Sequence, residues 1–232
     1  MMLDIFSSFD PFINSMYQIS PLLFWMTPFL AILLISSSYW IAPSKFMWLS
    51  SVMSEIMVDQ SSRTQSSKLK GMTSMLSMLF MYIILINLLG LLPFTFSFSS
   101  HLIMALPLGL TMWFSLIISS LAMNPKAFTA SLLPSGAPNW LNPFLVLVET
   151  VSILARPITL SFRLAANMTA GHIILGLVGI YTSAAMMSSP MSMTILLSVQ
   201  TGYVLFEVGI CLIQAYIFCL LISLYADEHS NL

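Results

Sequence analysis

At 232 residues, with 58% hydrophobic and only 6% charged side chains, the chain lacks the roughly one-quarter charged content of a soluble domain, and a soluble globular fold is excluded. Net charge is −1 at neutral pH, so no basic stripe points to nucleic acid. Charged residues are missing from 11–44, 71–125, 127–148 and 164–206, each stretch longer than the ~20 residues that cross a bilayer as a helix, and runs such as Leu76 to Leu92 show none of the alternation of a β-barrel.

Taken in order, residues 22–42 predict a first spanning helix, with Pro28 close enough to its start to be tolerated. Over 45–59 the character changes. Phe46, Leu49, Val52, Met53, Ile56 and Met57 share one helical face opposite Ser50, Ser51, Ser54, Glu55 and Asp59, the pattern of a helix lying on the membrane surface. Two spans, about 72–92 and 102–122, form a hairpin around the turn that begins at Pro93. The breaker-rich stretch 134–138 then separates this hairpin from the last third of the chain.

That last third holds two helical runs, about 141–181 and 191–226, divided by Ser188, Ser189 and Pro190. Forty residues make roughly 60 Å of helix, twice the ~30 Å hydrocarbon core, so both runs should be steeply tilted. The fold class is therefore all-α integral membrane, one membrane domain with about five embedded helices and one surface amphipathic helix, the last two embedded helices being long and tilted as a hairpin. Four of the seven basic residues, Lys45, Arg63, Lys68 and Lys70, lie between the first and second spans, and Lys126 lies between the third and fourth. By the positive-inside rule those loops face inward, which puts the N-terminus outside and the tail Asp227, Glu228, His229 inside. Neither a secretory signal nor an arginine-rich transit peptide is legible at the start.

Ionisable side chains inside spans cost several kcal/mol and are functional candidates by default. Glu149, Arg156 and Arg163 recur every seven residues, as do Gln200, Glu207 and Gln214, and seven residues is two turns with a drift of only ~20°. Each long helix thus carries a polar stripe, with Asn167 one turn beyond Arg163. The plainer alternative is that Glu149, Arg156 and Glu207 neutralise one another as buried pairs, which leaves a permanently charged guanidinium at mid-depth unexplained. His172, nine residues past Arg163, points to roughly the opposite face, where a hydrogen-bonded core histidine is the competing reading. Ala165, Ala166, Ala170, Gly171, Gly176 and Gly179, with Gly202 and Gly209, suggest close helix packing or a thin surface that admits water or a moving partner. Cys211 and Cys219, eight apart in an apolar run, read as small buried hydrophobes.

The segment Leu160-Ser-Phe-Arg163-Leu-Ala-Ala-Asn167-Met-Thr-Ala-Gly-His172 resembles the fifth-helix motif of subunit a of the F-type ATP synthases in its mitochondrial form. Supporting matches are Asn87-Leu-Leu-Gly-Leu-Leu-Pro93, Asn142-Pro-Phe, Ile213-Gln-Ala-Tyr-Ile-Phe218 and Leu221-Ile-Ser-Leu-Tyr225, in order from about Lys70 to Tyr225. Bacterial relatives typically place a glutamate where His172 stands and a histidine where Glu207 stands, so the exchanged pair points to mitochondria. The resemblance implies a non-catalytic, cofactor-free stator subunit of the mitochondrial inner membrane, facing a ring of c subunits and contacting the peripheral stalk subunit b and other membrane-sector subunits. It also implies two offset proton half-channels: an outer one near His172 and Glu207, and an inner one near Glu149. Arg163 separates them, Gln214 and Asn167 position it or a water beside it, and Arg156 tunes the path. Leu160, one turn before Arg163, would lie on the ring-facing surface. A secondary transporter and a structural anchor are the competing classes; a transporter would show repeated halves with broken helices, and no second copy of the long-helix pattern is present.

Overall fold

The computed structural model describes residues 45–92, 95–133, 140–187 and 189–228, together with Phe9, Met26, Pro28 and Phe29. The expected first span over 22–42, the breaker stretch 134–138 and His229 fall outside these continuous stretches. Within them the regular structure is helical: α1 (Lys45–Arg63), α2 (Met72–Leu91), α3 (Leu102–Met123), α4 (Pro125–Ser131), α5 (Asn142–Ala185) and α6 (Pro190–Asp227), with single 3-10 turns at Gln65–Lys68 and Phe98–Ser100. Four of these, α2, α3, α5 and α6, are long and apolar enough to cross a membrane, and the chain is an all-α integral membrane protein. The short α4 was not anticipated; Pro125 in its first turn, where no intrahelical N–H is needed, starts it.

The packing order follows from which helices bury their surfaces. Over its most apolar window α2 is 56% buried and α6 39%, whereas α3 and α5 are only 17% buried. Leu76, Leu79, Phe80, Ile83 and Ile84 of α2 meet Phe218, Cys219 and Ile222 of α6, with Leu160 and Leu164 of α5 and Ala105 of α3 completing one core. Gly71, at φ +82°, supplies the left-handed residue that turns the chain from the Gln65–Lys68 turn into α2. Along α1 the buried stripe is Met57 and Ser61, with Met53 alongside, while Leu49 and Ile56 are about half exposed and Trp48 is more so. The face α1 presents to its neighbours is thus its methionine and serine side.

At 44 and 38 residues, α5 and α6 have the expected length, and α5 alone measures about 66 Å. They run antiparallel in a register marked by cross-helix contacts. Thr182 Oγ1 donates to Gln200 Oε1 at 3.3 Å, Cys211 Sγ lies 3.8 Å from Met168 Sδ, and Asn167 Nδ2 donates to Gln214 Oε1 at 2.8 Å. At the far end Arg156 reaches Glu228. Residues 142–155 of α5 therefore continue beyond the last turn of α6, with Phe144, Leu147, Val151 and Leu154 exposed. Inside α5, Pro157 removes one backbone donor yet is fully buried, because α3 crosses there without a side chain in the way: a Cβ on Gly109 would sit 3.3 Å from the Pro157 carbonyl oxygen. Leu160, expected on the outer surface, lies inside this crossing at 2% exposure. Three residues before Arg163 is about 60° around the helix, enough to carry it from the open face to the α3 side.

The end of α6 closes back on the first loop. The Ser66 N–H donates to Asp227 Oδ1 at 2.9 Å across 161 residues of chain, and Thr64 Oγ1 and Ser66 Oγ are 2.6 Å apart beside it. The Gln65–Lys68 turn and the tail thus share one end of the helix bundle.

Candidate functional site

Apart from Gln200, which pairs with Thr182, the residues of the seven-residue spacings fall in two separate groups. In the first, Arg163, Asn167, Ala170 and Gly171 from α5 and Tyr203, Glu207, Ile210, Ile213, Gln214 and Ile217 from α6 line an open cleft of about 440 Å³. Arg163 is exposed, and among the described residues it has no ion pair, the only two being those of Arg156. Glu207 is the opposite case, 1% exposed with Oε2 lacking a hydrogen-bond partner. A buried carboxylate oxygen without a donor costs stability.

What holds Glu207 in place is a glycine. A Cβ built on Gly171 would lie 2.4 Å from Glu207 Oε2 and 2.6 Å from both Oε1 and Cδ, so the carboxylate lies flat against the α5 backbone in a space that any other residue would fill. The aromatic hydroxyl of Tyr203, one turn earlier on α6, is within reach of the same carboxylate. Neither Gly171 nor Tyr203 stood out as a site residue in the sequence. The i, i+4 pairing of Tyr203 with Glu207 was a legible signal, whereas the role of Gly171 depends on the interhelical register. Gly176, Gly179, Gly202 and Gly209 behave differently: a Cβ on any of them would meet nothing within 4 Å. Of the glycines expected to pack closely, Gly171 does so, while Gly176, Gly179, Gly202 and Gly209 form a thin outer surface; Gly109 of α3, not singled out in the sequence, is a second close approach.

Asn167 and Gln214 were expected to attend Arg163. They bond to each other instead, bridging the two long helices, while Gln214 Nε2 is buried without a partner. His172 stays out of the cleft. Its Nε2 is buried and has no hydrogen-bond partner, and the ring of Phe9 meets it edge-on at 6.3 Å between centroids. A further polar residue lies deeper: Asn87 is fully buried with both side-chain heteroatoms unpartnered, on a small cavity shared with Ser99 and Leu164.

The second group sits at the tail end. Arg156 Nη1 engages Glu228 Oε2, its Nη2 lies 3.8 Å from Glu149 Oε1, and its guanidinium carbon is 5.2 Å from the centre of the Tyr225 ring. The salt bridges that the plainer reading anticipated therefore include Glu149 and Arg156 but not Glu207. Cys211 and Cys219 are both buried free thiols. Among the described residues, no group of three or more histidine, cysteine, aspartate or glutamate side chains could hold a metal ion.

Compared with known proteins, the chain matches the family model described as ATP synthase A chain over residues 16–227. It is 39% identical over 230 residues to ATP synthase subunit a of Albinaria caerulea, covering 99% of this chain and all of that one. It is 36% identical to the protein of the same name from Drosophila melanogaster, over 98% of this chain and 99% of that one. Against the Apis mellifera ligustica protein the figure is 31%, over 98% and 97%.

Proposed function

Because the chain belongs to the ATP synthase A chain family, we propose that it is the proton-translocating stator subunit a of the membrane sector, working against a rotating ring of c subunits each bearing one membrane carboxyl. The observation that carries this reading is the cleft: an exposed, unpaired Arg163 and a buried, partly unpartnered Glu207 open onto the same space.

In this reading protons arrive from the outer side past His172, pass Glu207, and protonate a ring carboxylate. After rotation they leave toward the tail end past Glu149. Arg163 stands between the two routes. A carboxyl passing within ~4–6 Å of a guanidinium is held in its charged form, so the ring site gives up its proton on the exit side and none hops straight across. The Asn167–Gln214 bridge keeps α5 and α6 in register beside Arg163, and the Arg156 group tunes the exit. Each proton supplies about 2.3 kcal/mol per 100 mV of membrane potential.

The thin surface at Gly176, Gly202 and Gly209, together with exposed Ala166 and Ala170, is suited to a moving ring. The exposed apolar start of α5 and the α1 face are suited to lipid and to stalk subunit b. We place the protein in the mitochondrial inner membrane, with the N-terminus in the intermembrane space and the tail in the matrix; the shared end of the Gln65–Lys68 turn and Asp227 supports putting that loop and the tail on one side.

The test is Arg163→Ala in the intact complex. ATP-driven proton pumping should disappear while the amount of assembled complex stays near wild type, and preserved coupled pumping would remove Arg163 from the barrier role.

A further inference from the structure

The second polar group is built asymmetrically. One guanidinium stands between two carboxylates, with Arg156 Nη1 on Glu228 and Nη2 facing Glu149 across 3.8 Å. That separation is beyond the 2.7–3.2 Å of an N–H···O hydrogen bond, so Glu149 feels the charge without accepting a bond from it. Below the guanidinium the Tyr225 ring, centred 5.2 Å from the guanidinium carbon, supplies a cation–π support that fixes its plane. Two N–H···O bonds between Arg156 and Glu149 would form a bidentate pair, the strongest arrangement open to these two groups. Glu228, the residue that follows α6, takes one side of the fork.

We propose that Glu228 is a positioning residue that, with the guanidinium braced over Tyr225, draws Arg156 off Glu149 and so leaves Glu149 free to take up and release protons. This rests on the reading of Glu149 as the exit-side relay. Among the described residues, the other charged or titratable groups leave the Glu149 carboxylate to Arg156 alone: Asp227 is turned to the Ser66 N–H, Arg163 lies a further two turns along α5, and Tyr225 lies under the guanidinium. Glu149 and Glu228 keep 40% and 58% of their side-chain surface exposed, so the pair is accessible to solvent and its energetic effect is correspondingly modest. The effect is one of geometry. Without Glu228, no other anion among the described residues pairs with Arg156, which then closes onto Glu149.

The intact complex in inverted membrane vesicles tests this, since ATP hydrolysis then draws protons from the medium at the tail end. Pumping rate is recorded against the pH of that medium for the wild type, Glu228→Gln, Glu228→Asp and Glu149→Gln. A bidentate partner stabilises the carboxylate form, so the alkaline limb of the Glu228→Gln profile should move lower by about 0.3–0.7 pH unit, while Glu228→Asp keeps the wild-type profile. A Glu228→Gln profile that superimposes on the wild type, with Glu149→Gln strongly impaired, overturns the positioning role and spares the exit reading. Wild-type pumping by Glu149→Gln overturns the exit reading itself, and the proposal with it. If Glu228→Gln fails to assemble, Tyr225→Leu carries the test: it should shift the profile in the same direction by less, and an unshifted profile overturns the proposal.

Discussion

Gly171→Ala is the sharpest test of the cleft, because it adds one methyl group at a place the structure reserves for a carboxylate. The new Cβ would stand 2.4 Å from Glu207 Oε2, and restoring ordinary contact requires the carboxylate to retreat by about 1 Å. Glu207 is buried, so the retreat goes into the cleft, at a rotamer cost of about 0.5–1.5 kcal/mol. That is too small to unfold the subunit. Its functional effect is larger, since a ~1 Å misplacement of a proton-transferring group costs up to about 100-fold in rate. ATP-driven pumping in vesicles should therefore fall by about 10- to 100-fold with the complex still assembled. Adding Glu207→Asp, one methylene shorter, should recover part of the loss by withdrawing the carboxylate from the new methyl. Wild-type pumping by Gly171→Ala, or a double variant worse than either single one, would refute the reasoning.

Two further outcomes check the packing beneath the site. Gly109→Leu should cost about 1–3 kcal/mol by forcing α3 off the Pro157 carbonyl, seen as less assembled complex after mild detergent extraction, whereas Gly109→Ala, with its Cβ at 3.3 Å, should assemble nearly normally. In a double-mutant cycle with Asn167→Ala and Gln214→Ala, the interhelical hydrogen bond should appear as a coupling of about 0.6 kcal/mol in detergent-solubilised unfolding; additive effects would mean the two residues act independently.

Much of this architecture was legible because a bilayer leaves so few options. The charge-free apolar runs located α2, α3, α5 and α6 to within a few residues, since a span must be helical and of a set length. Which face of a helix meets protein was harder to read. In lipid an exposed leucine and a buried one are equally content, so α1 turns Met57 and Ser61 inward and leaves Leu49 and Ile56 outside, and Leu160 goes to the α3 crossing instead of the outer surface. The seven-residue spacing did bring Arg163, Asn167, Glu207 and Gln214 to one cleft. It could not foresee Asn167 bonding to Gln214, Gly171 cradling Glu207, or Glu228 holding Arg156, because each depends on the register between α5 and α6, which no single helix encodes.

The bond between Ser66 and Asp227 has a consequence for how the protein is made. Its two ends leave the ribosome 161 residues apart, so α2 must be inserted long before α6 exists, and the surface it will offer to Phe218 and Ile222 first faces lipid or the insertion machinery. Only when the last helical turn emerges can Asp227 meet the early loop and Glu228 meet Arg156. A nascent chain stopped just before these two residues would carry α2, α3, α5 and nearly all of α6, with the whole cleft, yet lack two of the contacts that tie the end of its final helix to the rest. Asp227 and Glu228 therefore join the early loop and Arg156 to the end of α6 as a late step of assembly.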